Sequence, residues 1–253
     1  MLIALSIFAF LAGFVEAVVG GGGLIQLPAM FLLMPELSLL QTLATNKTAN
    51  FLGTTVSAVQ YKKKTNISLK FLLPIIISAF ISSFCGALLV SYFEKENFVP
   101  ILIVVLIGML LYTVFKKELG KTEQLKKLSK TQHYFYTITI GSVIGLYDGL
   151  IGPGTGSFLV FAFILLFGKN FLQASGHAKI INVVTNIAAL SFFIIRGAVI
   201  WSVALPLALA NMLGNYIGSH LAIKKGSAFV RVFFIITVLA LIAKLVYEYI
   251  ILQ

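Results

Sequence analysis

The fold this sequence predicts is an all-α polytopic membrane protein built from two inverted five-segment repeats, and three observations predict it. Apolar runs of bilayer-crossing length fill most of the chain. The first half is echoed by the second at a constant offset of 132 residues, from Gly13 and Gly145 onward. The lysines outside the apolar runs fall in loops that alternating crossings collect on one side.

Hydrophobic residues make up 59% of the chain and charged residues 11%, which excludes an ordinary soluble domain. Leu2–Val19, Phe71–Tyr92, Phe98–Phe115, Trp201–Ile223 and Phe229–Ile251 each reach the roughly 17–25 residues that a crossing needs. The net charge of +11 would point to nucleic acid in a soluble protein. Here the charge sits in loops, so the expected partner is the lipid bilayer and no nucleic acid. Cys85 is the single cysteine, which excludes a disulfide framework and a thiol metal cluster. The chain starts apolar, without a basic n-region, and its first run reads as a span rather than a removed signal peptide. The expected location is the cytoplasmic membrane, with many passes.

The repeat needs no gap. Gly13, Gly20, Gly22, Gln41, Lys47, Asn50, Pro74 and Gly86 recur as Gly145, Gly152, Gly154, Gln173, Lys179, Asn182, Pro206 and Gly218, and Glu16 is echoed by Asp148. The first copy reads as segments at about 2–19, 21–35, 41–61, 69–92 and 98–115. The second reads as about 133–151, 153–168, 173–195, 199–223 and 229–250. The division is therefore a first repeat over 1–115, a basic linker over 116–132 and a second repeat over 133–253. The second segment of each copy is short and starts in a glycine cluster, the mark of a broken or re-entrant helix lining a cavity.

Twelve lysines decide the topology: Lys62, Lys63, Lys64, Lys116, Lys117, Lys121, Lys126, Lys127, Lys130, Lys169, Lys224 and Lys225. With every segment crossing and the N-terminus outside, all of them are cytoplasmic. The outer loops keep only Lys95, between Glu94 and Glu96, and Arg196. An odd number of crossings per copy points the two copies in opposite directions. In a transporter built this way the substrate binds between the copies.

Two constellations carry the candidate chemistry. The first is the pair of glycine clusters, with Gly20, Gly22 and Gly23 in one copy and Gly152, Gly154, Thr155 and Gly156 in the other. Glycine permits a sharp turn and close approach, and helix-start N–H groups favour an anion. Tight helix packing is the other reading. The second is a polar stripe on the third segment: Lys47, Asn50, Thr54 and Ser57, matched by Lys179, Asn182 and Asn186. A charge near the bilayer centre costs at least ~2.5–3.5 kcal/mol and normally faces a cavity or a partner. Snorkelling of Lys47 to the interface is the alternative. Two ammonium groups in one cavity repel unless an anion bridges them, so the stripes point to an anionic substrate. Glu16 and Asp148 either pair with the lysines or carry protons. His177, two residues before Lys179 and with Thr45 as its counterpart, is either a candidate oxyanion donor or group titrating near neutral pH, or a satisfied packing histidine. No catalytic triad, zinc-spaced motif or phosphate loop is present.

Gly13-Phe-Val-Glu-Ala-Val-Val-Gly-Gly-Gly-Gly23 with Pro28, Gly145-Leu-Tyr-Asp-Gly-Leu-Ile-Gly-Pro-Gly-Thr-Gly156, and Ala178-Lys179-Ile-Ile-Asn182 resemble the TauE/SafE family of sulfite-exporter-like membrane transporters. The resemblance covers essentially the whole chain. It implies a transporter with paired repeats, no cofactor, no resident metal and a sulfur-containing or other organic anion as substrate. One departure stands out, Gly-Gly-Gly-Gly-Leu in the first copy against Gly-Pro-Gly-Thr-Gly in the second, so the two halves of a site contribute unequally. The expectation is a secondary transporter working by alternating access, with an anion channel as the alternative and a membrane enzyme behind it. A homo-oligomer is compatible with the chain. A cell interior negative by ~100 mV favours anion export by about 2.3 kcal/mol per charge, so only uptake requires a coupling ion.

Overall fold

The structure, a computed structural model, describes residues 1–65, 67–90, 107, 110, 111, 115, 120 and 122–251. The described residues form helices joined by loops, with no strand among them. In chain order these are α1 (Leu2–Val19), α2 (Gly23–Leu33), α3 (Leu39–Lys64), α4 (Leu69–Leu89), α5 (Lys130–Leu150), α6 (Thr155–Phe167), α7 (Phe171–Ile195) and α8 (Trp201–Ile251). The last is two helices joined at Gly226, whose φ of 74° and ψ of −168° break the helical path. The expected fifth segment, about 98–115, lies outside the described residues but for four positions. Lys95 with its flanking Glu94 and Glu96, and Lys116, Lys117 and Lys121, lie outside them as well.

Local chemistry explains the helix boundaries. Ser38 and Gln41 form a capping box at the start of α3, each side chain bonded to the other's backbone N–H. Ser129 and Gln132 do the same for α5. At α7 the repeat counterpart of Ser38 is Asn170, whose Oδ1 accepts from the Gln173 N–H at 2.8 Å. The Gln173 side chain donates from Nε2 to Glu123 in the linker at 2.9 Å. The same Glu123 takes Lys169 at 2.7 Å, and that hydrogen bond holds its carboxyl below the ordinary carboxylate value. Backbone bonds from Gln124 to Gly168 and from Lys126 to Phe167 lay the linker along the end of α6.

Helices of one copy pack on helices of the other. α1 lies against α8, and α5 against α4. Glycines make both contacts backbone-close, and they do so at equivalent positions. A Cβ on Gly13 would stand 2.2 Å from the Asn211 carbonyl oxygen, and one on Gly145 2.8 Å from that of Ala79. Likewise Gly218 meets the Phe14 carbonyl and Gly86 the Leu146 carbonyl. At the 132-residue offset the four contacts form two equivalent pairs, Gly13 on Asn211 with Gly145 on Ala79, and Gly86 on Leu146 with Gly218 on Phe14. Small residues let membrane helices approach this closely.

The apolar and polar faces are reversed relative to a soluble protein. Leu73, Ile77 and Ile81 of α4 and Leu205, Leu209 and Leu213 of α8 are exposed, while Glu16, Lys47, Asp148 and Lys179 are buried. α1, α4 and α7 are long and apolar enough to cross a bilayer. α2 and α6, at 11 and 13 residues, extend only about 16 and 20 Å, short of the ~30 Å hydrocarbon core. The chain is an all-α polytopic membrane protein. Its two short helices begin inside, at the glycine loops.

Those loops meet backbone to backbone. Gly20 has φ 81°, and a Cβ there would lie 2.3 Å from the Gly156 Cα. Gly197 also has a positive φ, 63°, but nothing stands within 4 Å of its Cβ position. Gly197→Ala should therefore cost only the left-handed backbone penalty of about 1–2 kcal/mol. Gly20→Ala adds a backbone collision and should give no monodisperse folded protein. Fluorescence-detected size exclusion with a thermal ramp in detergent distinguishes the two.

Candidate functional site

Four ionisable side chains from four helices meet in the interior. α1 brings Glu16, α3 Lys47, α5 Asp148 and α7 Lys179, and all are at most 5% exposed. The pairs cross between the copies. The Lys47 ammonium meets Asp148 Oδ2 at 2.6 Å, and the Lys179 ammonium meets Glu16 Oε1 at 2.9 Å. Lys47 therefore ends on a carboxylate in the interior, not at the interface. Burying a charge costs several kcal/mol unless it is paired and hydrogen-bonded, and each of these charges has an opposite partner.

The two carboxylates are held very differently. Glu16 Oε2 accepts from the Gly21 and Gly22 N–H groups at 2.8 and 2.9 Å, and Oε1 accepts from Asn182 Nδ2 at 2.7 Å as well as from Lys179. Lys179 also donates to the Glu16 main-chain carbonyl. The N–H groups at the start of α2 do face an anion, but that anion is the protein's own carboxylate. Asp148 takes one hydrogen bond among the described residues, from Lys47.

The second glycine loop is closed on itself. The Thr155 hydroxyl donates to the Gly152 carbonyl at 2.7 Å, and Tyr147 donates its hydroxyl to the Pro153 carbonyl. Gly152, with φ 84°, lies beside the Lys47 ammonium, and a Cβ there would be 3.1 Å from Nζ. Gly154 caps α6 in the left-handed conformation, φ 86°. Gly23 stands against Pro153, and Gly156 against Gly20.

A cavity of about 20 Å³ lies between the pairs, lined by Glu16, Gly23, Asn46, Lys47, Asn50, Asp148, Gly152, Asn182 and Asn186. That is space for a water molecule. An oxyanion needs the pairs to part. Asn46, 4% exposed, lines it with an Oδ1 that has no hydrogen-bond partner.

Two candidate residues lie elsewhere. The His177 ring takes the Gln173 carbonyl on Nδ1 at 2.7 Å and packs against Phe71 and Phe163. It faces a second, open cavity of about 620 Å³, whose lining includes Lys126, Lys130, Lys169 and His133. Two residues' separation from Lys179 puts it on a different helix face. The Thr45 hydroxyl accepts from the Ile200 N–H at 3.2 Å and does not line the small cavity.

Sequence reasoning does not single out the amide cluster behind Asn50. Asn211 Nδ2 lies 3.1 Å from Gln26 Oε1 and 3.2 Å from Asn50 Oδ1, and its Oδ1 accepts from Asn215 Nδ2 at 2.8 Å. Gln26, Asn211, Asn215 and Ser219 are fully buried. The available signal was the spacing of four from Asn211 through Asn215 to Ser219 within an apolar run. Among the described residues, no group of three or more His, Cys, Asp or Glu side chains could hold a metal ion.

Removing one member of a buried pair strands the other. Lys179→Met should destabilise the protein by about 3–5 kcal/mol by leaving Glu16 charged and unpaired. Lys179→Met with Glu16→Gln should recover most of that loss, and thermal unfolding of both variants in detergent measures it.

Residues 5–245 match the family described as sulfite exporter TauE/SafE. Over 245 residues the chain is 35% identical to a probable membrane transporter protein, ORF9, of Sinorhizobium sp., covering 97% of this chain and 92% of that one. It is 33% identical over 240 residues to the probable membrane transporter protein YfcA of Escherichia coli K12, covering 95% and 87%. A probable membrane transporter protein of Haemophilus influenzae is 31% identical over 239 residues, covering 94% and 92%.

Proposed function

The chain belongs to the sulfite exporter TauE/SafE family, and from that premise we propose that it is a secondary transporter for a small anion, by preference a sulfur oxyanion or an organosulfonate. The observation that carries this reading is the crossed set of two ammonium groups and two carboxylates around a cavity with room for a water. The lysines supply the charge that an anion needs in a low-dielectric interior, and the carboxylates occupy that charge while no anion is bound. Asn50, Asn182 and the glycine-loop amides are the candidate hydrogen-bond donors to the anion, those not held by Glu16 being free to turn to it when a pair parts.

The reading extends to architecture. Residues 1–115 and 133–253 act as two inverted repeats of five segments, ten in all, joined by a cytoplasmic linker over 116–132. Equivalent helix contacts at the repeat offset, such as Gly13 on Asn211 and Gly145 on Ala79, support it. Rocking of one repeat against the other then exposes the central cavity to each side in turn. The open cavity beside Lys126, Lys130 and Lys169 is the cytoplasmic mouth, where loop lysines raise the local anion concentration. A channel would need a continuous pore, and the narrowness of the central cavity favours the carrier.

Flux in proteoliposomes tests the function, using sulfite, sulfate, thiosulfate and methanesulfonate. Saturable flux of at least one of these is expected, with Lys47→Ala at least tenfold slower; unaltered flux in both Lys47→Ala and Lys179→Ala would remove the site assignment. Topology is tested by side-specific labelling of tagged termini. Ten crossings put both termini on the outer face, and opposite sides would rule out the inverted arrangement.

A further inference from the structure

Resting on the transport reading above, we propose that the two ion pairs have different jobs: Lys179–Glu16 is a fixed tie, and Lys47–Asp148 is the pair that opens, with each anion entering as Asp148 takes up a proton.

The difference begins in the sequence. Position for position, the Gly21 N–H that donates to Glu16 corresponds to Pro153, which has no N–H to give Asp148. Asn182, which donates to Glu16 at 2.7 Å, corresponds to Asn50. Asn50 is drawn away instead, its Oδ1 accepting from Asn211 at 3.2 Å. The counterpart of Asn211 is Ala79, which leaves Asn182 free of such a competitor. Asp148 is also one methylene shorter than Glu16. Among the described residues Asp148 is left with the Lys47 bond, while Glu16 keeps those from Gly21, Gly22, Asn182 and Lys179.

The cavity repeats the asymmetry. Lys47 and Asp148 both line it, whereas of the other pair only Glu16 does, and Lys179 is fully buried behind it. An arriving anion reaches the Lys47 ammonium first. The unpartnered Asn46 amide beside it offers a further polar contact, with either end turned to the cavity.

Charge balance supplies the proton. The four groups sum to zero, and a monoanion added to them leaves one uncompensated negative charge in a low-dielectric interior. A proton from bulk water bonded to Asp148 Oδ2 removes that excess and frees Lys47 for the anion. On the far side the anion departs, the proton returns to water, and Lys47 recloses on Asp148. No other bond is made or broken. Protonating Glu16 would instead give up the Gly21, Gly22 and Asn182 bonds to a carboxylate as well as the Lys179 pair. The other groups nearby are otherwise engaged. Tyr147 and Tyr61 donate their hydroxyls to the Pro153 and Ala17 carbonyls, and His177 of α7 is turned to Gln173. α2 and α6 contain no ionisable side chain, α8 meets the cavity wall through Asn211 on Asn50, and Cys85 of α4 is exposed.

The test uses the purified full chain in vesicles holding a pH-reporting dye, with the membrane potential clamped. Sulfate, thiosulfate and methanesulfonate are the probes, because as anions of strong acids they bring no proton of their own. Wild type should acidify the lumen as the anion enters and accumulate anion down an imposed proton gradient at zero potential. Its apparent affinity should rise tenfold or more as the outer pH falls. Asp148→Asn should lose at least nine-tenths of the proton movement per anion in whatever flux remains, and that flux should show a flat pH profile. Asp148→Glu should restore coupling, and Glu16→Gln should keep the wild-type proton-to-anion ratio in whatever flux remains. Anion flux without protons in the wild type overturns the inference while leaving the transport reading intact, and needs no variant that folds. Proton coupling retained in Asp148→Asn, or lost selectively in Glu16→Gln, also overturns it. No flux of any probe or of sulfite removes the transport reading itself.

Discussion

Four charges in an apolar interior must find partners, and much of the fold follows from how they do. A lone ammonium or carboxylate at this depth would cost several kcal/mol, comparable with the net stability of a whole domain. Crossing satisfies all four at once: Lys47 of the first half on Asp148 of the second, Lys179 of the second on Glu16 of the first. α1, α3, α5 and α7 must therefore converge to within side-chain reach. Glycine makes that convergence sterically possible, with Gly20 and Gly156 touching backbone to backbone. The pairs thus act as a clasp between the halves, and any motion of one against the other must open or drag it.

Much of this was legible in the sequence, and the parts that were not share a physical cause. Helix positions followed from apolar length, and the repeat offset identified equivalent residues before any coordinates. Gln41 and Gln173 recur because each follows a capping residue at the start of a long helix. Partner choice was not legible. Nothing in a spacing says that Lys47 reaches across to the other copy rather than to Glu16 of its own. Glycine at a helix start suggests an anion cradle, and the Gly21 and Gly22 N–H groups hold the protein's own carboxylate five and six residues upstream. Chain proximity to Lys179 suggested His177 as a donor, although a helix turns two residues to different faces. The Asn211 cluster carries little sequence signal because neutral amides interrupt an apolar run only weakly, and because its counterparts Ala79 and Ser83 give no echo of it in the repeat.

The outward surface has the opposite logic from the interior. Leucine and isoleucine side chains on α4 and α8 face outward, so burying them in the protein is not what drives these helices together. Close glycine contacts and buried polar bonds take over that role. Asn211 shows the combination, with its backbone packed on Gly13 and its side chain bonded to Gln26 and Asn50. A polar side chain here is a structural element in its own right.

In a duplicated chain, identities and differences answer separate questions. Identity between the copies marks where both halves meet, as at Lys47 and Lys179, each of which reaches a carboxylate of the other half. Difference shows how the two halves have parted. Pro153 in place of Gly21's equivalent deletes a donor, and Asn211 in place of Ala79's equivalent captures Asn50. Together they leave one carboxylate held by two amide N–H groups, a side-chain amide and an ammonium, and the other by an ammonium alone. Two pairs of equal strength would resist opening equally and give no order to the steps. On the proposed transport reading, unequal pairs let one yield while the other keeps the halves aligned, so that a small central site loosens without the interface coming apart.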